Sequence, residues 1–79
     1  MDMKLKYDEI FRKAFDLGDT VSLEGLDIFS VENWSSVEHI EFVTMLEETF
    51  GITLSSEDIF QLTSYDNGIR LLKRLRVIE

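Results

Sequence analysis

Apolar side chains recur at helical spacing near the start of the chain and predict a first helix. The recurring positions are Tyr7, Ile10, Phe11, Ala14 and Phe15. Residues three and four apart share one side of an α-helix, so this stripe is expected to face the core. Gly18 follows as a C-terminal signal, and the helix is therefore expected over roughly residues 4–16.

A second helical period runs from about Ser36 to Phe50 and ends at Gly51, a residue type that often closes helices. On a wheel with about 100° per residue, the positions divide into two faces. The expected core face holds His39, Phe42, Val43, Met45, Leu46 and Phe50. The opposite face holds Ser36, Val37, Ile40, Glu41, Thr44, Glu47 and Glu48. Carboxylates around two apolar side chains are typical of a surface that binds another protein.

A long connection, residues 19–34, separates these two helices. A structureless loop of this length is unusual in a small domain. Its apolar residues are Val21, Leu23, Leu26, Ile28, Phe29 and Val31. We expect these side chains to pin the connection across the other helices.

Two further helices are predicted in the last third of the chain. An S-x-x-D capping pattern at Ser55 precedes the short helical segment EDIFQL. Ser64 is expected to cap a last helix that carries Ile69, Leu72 and Leu75. Because no segment alternates with the period of a strand, the sequence predicts an all-α fold. The expected architecture is a single domain over residues 1–79, a small four-helix bundle of three main helices and one short third helix, with a long first loop.

Composition restricts the classes of protein further. The chain has 79 residues, 44% of them hydrophobic, and no cysteine, so neither a disulfide nor a thiolate metal site can form. Its N-terminus lacks the apolar segment of a secretion signal, and no apolar run approaches the length of a membrane span. We therefore expect a cytoplasmic, soluble monomer without membrane insertion.

Charge is distributed unevenly along the chain. The net charge is −8, and no Lys or Arg occurs between Ala14 and Ile69, a span that contains twelve carboxylates. Phosphate binding requires the opposite sign, so nucleic acid is not expected as a ligand. An acidic surface alone is also explained by solubility, but the segregation of charge favours docking onto partners with basic patches.

Three single features have simpler structural interpretations that we prefer. His39, the only histidine, lies near Ser36 on the wheel but on the core side and without a third catalytic partner, which favours a half-buried structural role. Trp34 is expected to pack the loop onto the second helix, with a partner anchor as the alternative. The run DLGDTVSLEGLD has Val21 at the obligatory glycine of a calcium loop, so no EF-hand is expected.

The position of Ser36 raises two alternatives. A serine at the start of a helix commonly caps the free N–H groups of the first turn. It can equally be a point of covalent attachment, where a phosphate would face those N–H groups and the positive end of the helix dipole.

The run WSSVEHIEFVTMLEETFGITLSSEDI, residues 34–59, resembles the modification site and second helix of acyl carrier proteins and related carrier domains. In that family a D-S-L-type motif opens the helix and an L-E-E-x-F-G-I pattern closes it, present here as residues 46–52. Counting back from Phe50-Gly51 puts the family's modified serine on Ser36. Length, helix order, long first loop and acidic balance agree with this resemblance across nearly the whole chain, and Trp34 with His39-Ile40 is more similar to carriers of specialised pathways.

The resemblance implies a function without catalysis. Ser36 would carry phosphopantetheine, attached by a phosphopantetheinyl transferase, and the protein would present acyl or related thioesters to acyl-transferring or ligase enzymes in lipid, polyketide or peptide biosynthesis. Partner docking would use Val37, Ile40, Glu41, Thr44, Glu47 and Glu48. Ser35 stands where the family has an aspartate that helps the transferase recognise the carrier, and its neutral side chain lessens repulsion against a phosphate.

Two other functions are compatible with parts of the same pattern. One is an unmodified acidic helical adaptor that binds a basic protein partner through the same face. The other is a small hydrolase using Ser36, which is disfavoured because the sequence offers no oxyanion hole or general base.

Overall fold

The computed structural model describes residues 2–78, and it confirms the all-helical prediction. Four helices follow one another: α1 (Met3–Ala14), α2 (Ser36–Phe50), α3 (Ser56–Gln61) and α4 (Tyr65–Arg74). None of the helices in the described part of the chain has the length and apolar character needed to cross a bilayer.

Helix α1 begins and ends slightly before the predicted bounds. Asp2 is the N-cap, and its carboxylate accepts a hydrogen bond from the Lys4 N–H at 2.9 Å. At the other end Phe15 is the C-cap, and Asp16 takes a left-handed conformation with φ of 53°. Because the left-handed residue breaks the helical path, the turn comes before Gly18.

The predicted apolar stripe of α1 is buried, and most of it belongs to a cluster of rings that we call the aromatic cluster. Its members are Tyr7, Phe11, Phe15, Trp34, Phe42 and Tyr65. Phe11 meets Phe42 edge to face with ring centroids 5.5 Å apart. Phe15 stacks on Trp34 at 4.3 Å. Such ring pairs add to the stabilisation that area burial alone provides. The cluster therefore packs α1, α2 and the long loop against one another.

Helix α4 approaches α1 closely at Gly68. A Cβ atom at this position would lie 2.0 Å from the Tyr7 hydroxyl oxygen. The same hydroxyl donates a 2.8 Å hydrogen bond to the Tyr65 carbonyl, and burial raises the pKa of Tyr7. Asn67-Gly68 therefore lies inside a helix, as the helical period on both sides indicated, and glycine is needed for the contact.

The long loop is tied to the link between α3 and α4. Asp27 and Ser64 form an isolated antiparallel bridge, the Ile28 N–H donates to the Thr63 carbonyl at 2.9 Å, and the Tyr65 N–H donates to the Leu26 carbonyl at 3.0 Å. These bonds satisfy backbone groups that a loop would otherwise leave to water. The loop consequently has a fixed path across the helices.

Only some of the loop's apolar residues pin it as predicted. Leu23 and Val31 are buried in the core, and Trp34 is only 7% exposed, which confirms its packing role. The prediction was wrong for Val21 and Ile28, which are 37% and 38% exposed, and most clearly for Phe29, which is 94% exposed. Its side chain sits at the tip of the turn that the bridge to α3 and α4 creates, and it points away from the core.

Capping side chains define α3 and α4 as predicted. Ser55 and Asp58 form a reciprocal capping box at the start of α3, and the Ser64 hydroxyl accepts from the Asn67 N–H at 3.0 Å. Asp58 also forms an ion pair with Arg74 of α4. Partial desolvation acts to raise the pKa of Asp58. The hydrogen bonds from Ser55 and Arg74 outweigh this effect, so the pKa of Asp58 is lowered. One carboxylate thus both caps α3 and links it to α4.

Candidate functional site

Ser36 is the first residue of α2 and is exposed to solvent. Within residues 2–78 its hydroxyl makes no hydrogen bond, and neither its own N–H nor that of Val37 donates to a backbone acceptor. The first turn of a helix leaves such N–H groups free, and they carry the positive end of the helix dipole. An accessible hydroxyl therefore stands beside unsatisfied donors.

Ser35 precedes the helix as its N-cap residue, but its side chain does not cap. Its hydroxyl instead donates to the Glu38 carboxylate. This hydrogen bond is the main cause that lowers the pKa of Glu38, with smaller contributions from the backbone N–H groups of Glu38 and Ser35. Position 35 is neutral, but the carboxylate of Glu38 lies in the same turn and is bonded to Ser35.

A groove opens beside Ser36, between the long loop, α2 and α3, and we call it the Ser36 groove. Its lining residues are Asp27, Ile28, Phe29, Trp34, Ser35, Ser36, His39, Ile40, Ser56, Ile59, Phe60, Thr63, Ser64 and Asn67. Aromatic and aliphatic side chains provide most of its surface, and a few hydroxyls and one carboxylate, from Asp27, provide the rest. An apolar groove with a few polar groups is the usual form of a binding site.

Phe29 and Phe60 stand at the rim of this groove and are 94% and 83% exposed. Phe29 is held in place by an Asx turn in which the Asp27 carboxylate accepts from the N–H groups of Phe29 and Ser30, both at 2.9 Å. Exposed apolar side chains that lie together at one groove indicate a contact site, whereas single ones are common on any surface. The helical wheel did not mark either residue as functional, since both lie outside α2.

The predicted docking face of α2 is exposed along most of its length. Val37 is 63% exposed and Ile40 is 59% exposed, and the neighbouring Glu41, Thr44 and Glu48 also face solvent. Glu47 differs, because it is half-buried and its carboxylate accepts a hydrogen bond from the Leu54 N–H at 2.8 Å. Glu47 therefore anchors the chain after α2 and is less available to a partner than the other carboxylates.

His39 is half-buried, as its structural interpretation predicted, and both of its ring nitrogens are engaged. The Trp34 indole N–H donates to Nδ1 at 3.0 Å, and Nε2 lies 2.9 Å from the Ile59 carbonyl oxygen. An indole is only a donor and a carbonyl only an acceptor, so the partners fix a neutral ring with its hydrogen on Nε2. In this tautomer the Trp34 indole occupies the Nδ1 lone pair, and within residues 2–78 His39 makes no hydrogen bond to Ser36.

The comparisons with known proteins give no family for this chain. It matches no protein-family model, and neither the curated proteins nor the solved structures gave a match.

Proposed function

We propose that this protein is a carrier that holds acyl or related groups as thioesters on a phosphopantetheine attached to Ser36. The observation that carries the proposal is the exposed Ser36 hydroxyl at the first turn of α2, which makes no hydrogen bond within residues 2–78. It lies next to the N–H groups of Ser36 and Val37, which donate to no backbone acceptor in that range. The resemblance of residues 34–59 to carrier proteins supplies the identity of the group.

The first turn of α2 fits a phosphodiester at Ser36 on chemical grounds. Free backbone N–H groups at a helix start favour an anion, and the residues of this turn leave the hydroxyl accessible. The Glu38 carboxylate in this turn opposes the phosphate charge, and it is held by its bond to Ser35. When bound, phosphopantetheine would supply a terminal thiol, a group that the cysteine-free chain lacks.

Partner enzymes would dock on the exposed face of α2. Val37 and Ile40 provide a small apolar contact, and Glu41 and Glu48 provide charge for basic patches. Contacts of this size are transient and weaken with added salt. Such docking suits a carrier that must leave one enzyme for the next, while a tether keeps the thioester at high effective concentration.

Intact-mass measurement tests the attachment directly. The protein is incubated with coenzyme A and a broad-specificity phosphopantetheinyl transferase, and wild type is compared with Ser36→Ala and Ser35→Ala. We expect wild type and Ser35→Ala to gain one phosphopantetheinyl group and Ser36→Ala to gain none. A gain that survives Ser36→Ala would move the site to Ser35, and no gain in wild type with several transferases would count against the carrier function.

Charge reversal tests the docking face. Glu41→Lys and Glu48→Lys should each slow modification of Ser36 by about 3- to 10-fold at low salt, mainly through weaker docking. Glu9 is exposed on the solvent side of α1, and Glu9→Lys changes the net charge by the same amount. This variant should have little effect on the modification rate. Equal rates for all three variants would show that this face is not the docking surface.

A second candidate, an unmodified adaptor, is favoured by one observation. Phe29 and Phe60 extend the apolar contact of α2 beyond what a single serine attachment requires. An adaptor would bind a basic protein partner without any change in mass. The transferase experiment separates the two, since only the carrier gains a covalent group.

A further inference from the structure

The only tryptophan and the only histidine of the chain are hydrogen-bonded to each other beside the candidate site. Trp34 belongs to the long loop and lies two residues before Ser36, whereas His39 lies on the first turns of α2. The second imidazole nitrogen reaches the Ile59 carbonyl of α3. One ring therefore joins three separate elements that line the Ser36 groove.

We infer that His39 is a proton-operated latch of the Ser36 groove, closed when the imidazole is neutral and released from Trp34 when it is protonated. The inference rests first on the hydrogen-bond pattern. A proton from solvent would bind the lone pair of Nδ1, the same lone pair that accepts from the Trp34 indole. Two N–H groups would then face each other, and the bond to Trp34 would be lost.

The bond to α3 responds in the opposite way. Nε2 keeps its hydrogen in both states, so the bond to the Ile59 carbonyl persists and becomes charge-assisted. Protonation thus releases the loop side of the latch while the α3 side remains. Trp34 also stays stacked on Phe15 at 4.3 Å, so we expect a local rearrangement of the groove floor and retention of the fold.

The charged groups on the surrounding elements do not substitute for these bonds. The loop contributes Asp27, α2 contributes Glu38 and Glu41, and α3 contributes Glu57 and Asp58. On α4 the groove is lined by neutral Asn67, and the nearest charged residues along the chain are Asp66 and Arg70. From α1, Phe11 and Phe15 pack against Trp34. Among residues 2–78 no carboxylate hydrogen-bonds to the imidazole.

Histidine is the side chain whose ordinary charge change lies nearest physiological pH. Trp34 lies directly before Ser35 and Ser36 in the chain. Its release would therefore leave the backbone before the attachment serine less well fixed, and we expect modification to become slower. This consequence for Ser36 rests on the carrier function proposed above. The latch itself depends only on the hydrogen bonds and is tested separately.

Hydrogen exchange of the Trp34 indole tests the latch. The protection factor of its N–H, relative to free N-acetyltryptophanamide at the same pH, is measured by NMR between pH 5.5 and 8 together with the His39 ring signals. We expect protection to fall by about 3- to 10-fold on acidification, with the midpoint of the His39 titration, as the loss of one hydrogen bond implies. Protection that stays constant over this pH range, whether or not the His39 ring signals move, would overturn the latch.

Two variants act as matched controls. His39→Asn places an amide oxygen where Nδ1 accepts from Trp34 and does not titrate, so its indole protection should be independent of pH. His39→Gln places an amide N–H where Nε2 donates to Ile59, so it should show low protection at every pH. If a variant fails to fold, the ¹⁵N chemical shifts of the wild-type imidazole are a sufficient test, because they show which ring nitrogen carries the hydrogen. A hydrogen on Nδ1 at pH 8 would refute the proposal.

The consequence for Ser36 is measured as the modification rate of wild type divided by that of His39→Asn, a ratio that cancels the pH dependence of the transferase. We expect this ratio to fall by about 2- to 10-fold on acidification with the same midpoint. If the ratio of modification rates is constant with pH while the protection of the Trp34 N–H changes, only the consequence for Ser36 is overturned. No modification of either protein would count against the carrier function and leave the indole result standing.

Discussion

The aromatic cluster and the Ser36 groove use phenylalanine in opposite ways. In the cluster, Phe11, Phe15 and Phe42 are fully buried and surround one another, whereas Phe29 and Phe60 at the groove rim are almost fully exposed. The buried rings are held by packing between helices, whereas the backbone N–H of Phe29 donates to the Asp27 carboxylate and holds the turn. The fold therefore does not need the rim side chains for its own core, which leaves them free to contact another molecule.

The largest expected effect breaks the cluster. Phe42→Ala should lower the free energy of unfolding by about 3–5 kcal/mol, because it removes a buried ring that touches four others. Phe60→Ala is the matched control and should change it by about 0.5 kcal/mol or less. Urea denaturation followed by circular dichroism measures both. A loss at Phe60 equal to that at Phe42 would mean that the rim is part of the core.

The contact between α1 and α4 gives an intermediate effect. Gly68→Ala should destabilise the fold by about 1–3 kcal/mol, because its Cβ would overlap the buried Tyr7 hydroxyl. We expect this destabilisation although alanine is a better helix former than glycine by about 1 kcal/mol. Thermal unfolding of Gly68→Ala measures the loss. Gly18→Ala, whose Cβ would meet no atom within 4 Å, is the control.

A double variant identifies the cause of that loss. Tyr7→Phe removes the oxygen that Gly68→Ala would strike. The double variant should therefore be more stable than the sum of the two single effects predicts. Strict additivity would mean that the steric explanation is incorrect.

The smallest effect concerns the edge of the groove, where α3 is held by Asp58. Asp58→Asn should cost about 1 kcal/mol at neutral pH, since it weakens the capping box and the pair with Arg74. The folded pKa of Asp58 lies below its usual value, so this contribution is present above the unfolded pKa of about 3.9 and is lost as pH falls through the folded pKa.

Unfolding curves of wild type and Asp58→Asn between pH 2 and 7 measure this difference. The two stabilities should diverge as pH rises past about 4 and converge in acid. Asp19→Asn in the loop, whose carboxylate makes no hydrogen bond or ion pair within residues 2–78, should follow wild type throughout. A gap between wild type and Asp58→Asn that is constant with pH would exclude the carboxylate as its source.

Local sequence signals were sufficient for the helices of this chain. The stripe of α1, the Ser55 capping box and the Ser64 cap depend on residues within a few positions of one another, and each was predicted correctly. The end of α1 was placed too late because the left-handed conformation of Asp16 has no sequence pattern as clear as glycine. Local rules therefore predict the elements more accurately than their ends.

The surroundings of the candidate site were less predictable because they depend on distant backbone. The wheel correctly identified an exposed Ser36, Val37 and Ile40. It could not show that Glu47 would accept from the Leu54 N–H, or that the Ile59 carbonyl would meet His39. The apolar pattern of the long loop predicts that Phe29 pins the loop across the helices, but the turn paired with the α3–α4 link leaves its side chain in solvent.

The bridge between Asp27 and Ser64 has a consequence for the time at which the site is complete. It pairs two segments far apart in the chain, as does the contact between Tyr7 and Tyr65 in the aromatic cluster. Contacts of this range slow folding, because the chain between them must be ordered before they form. Part of the anchor of the loop that leads into Ser36 comes from residues 63–65. A nascent chain would therefore offer a finished surface to an enzyme only after most of its length has been made.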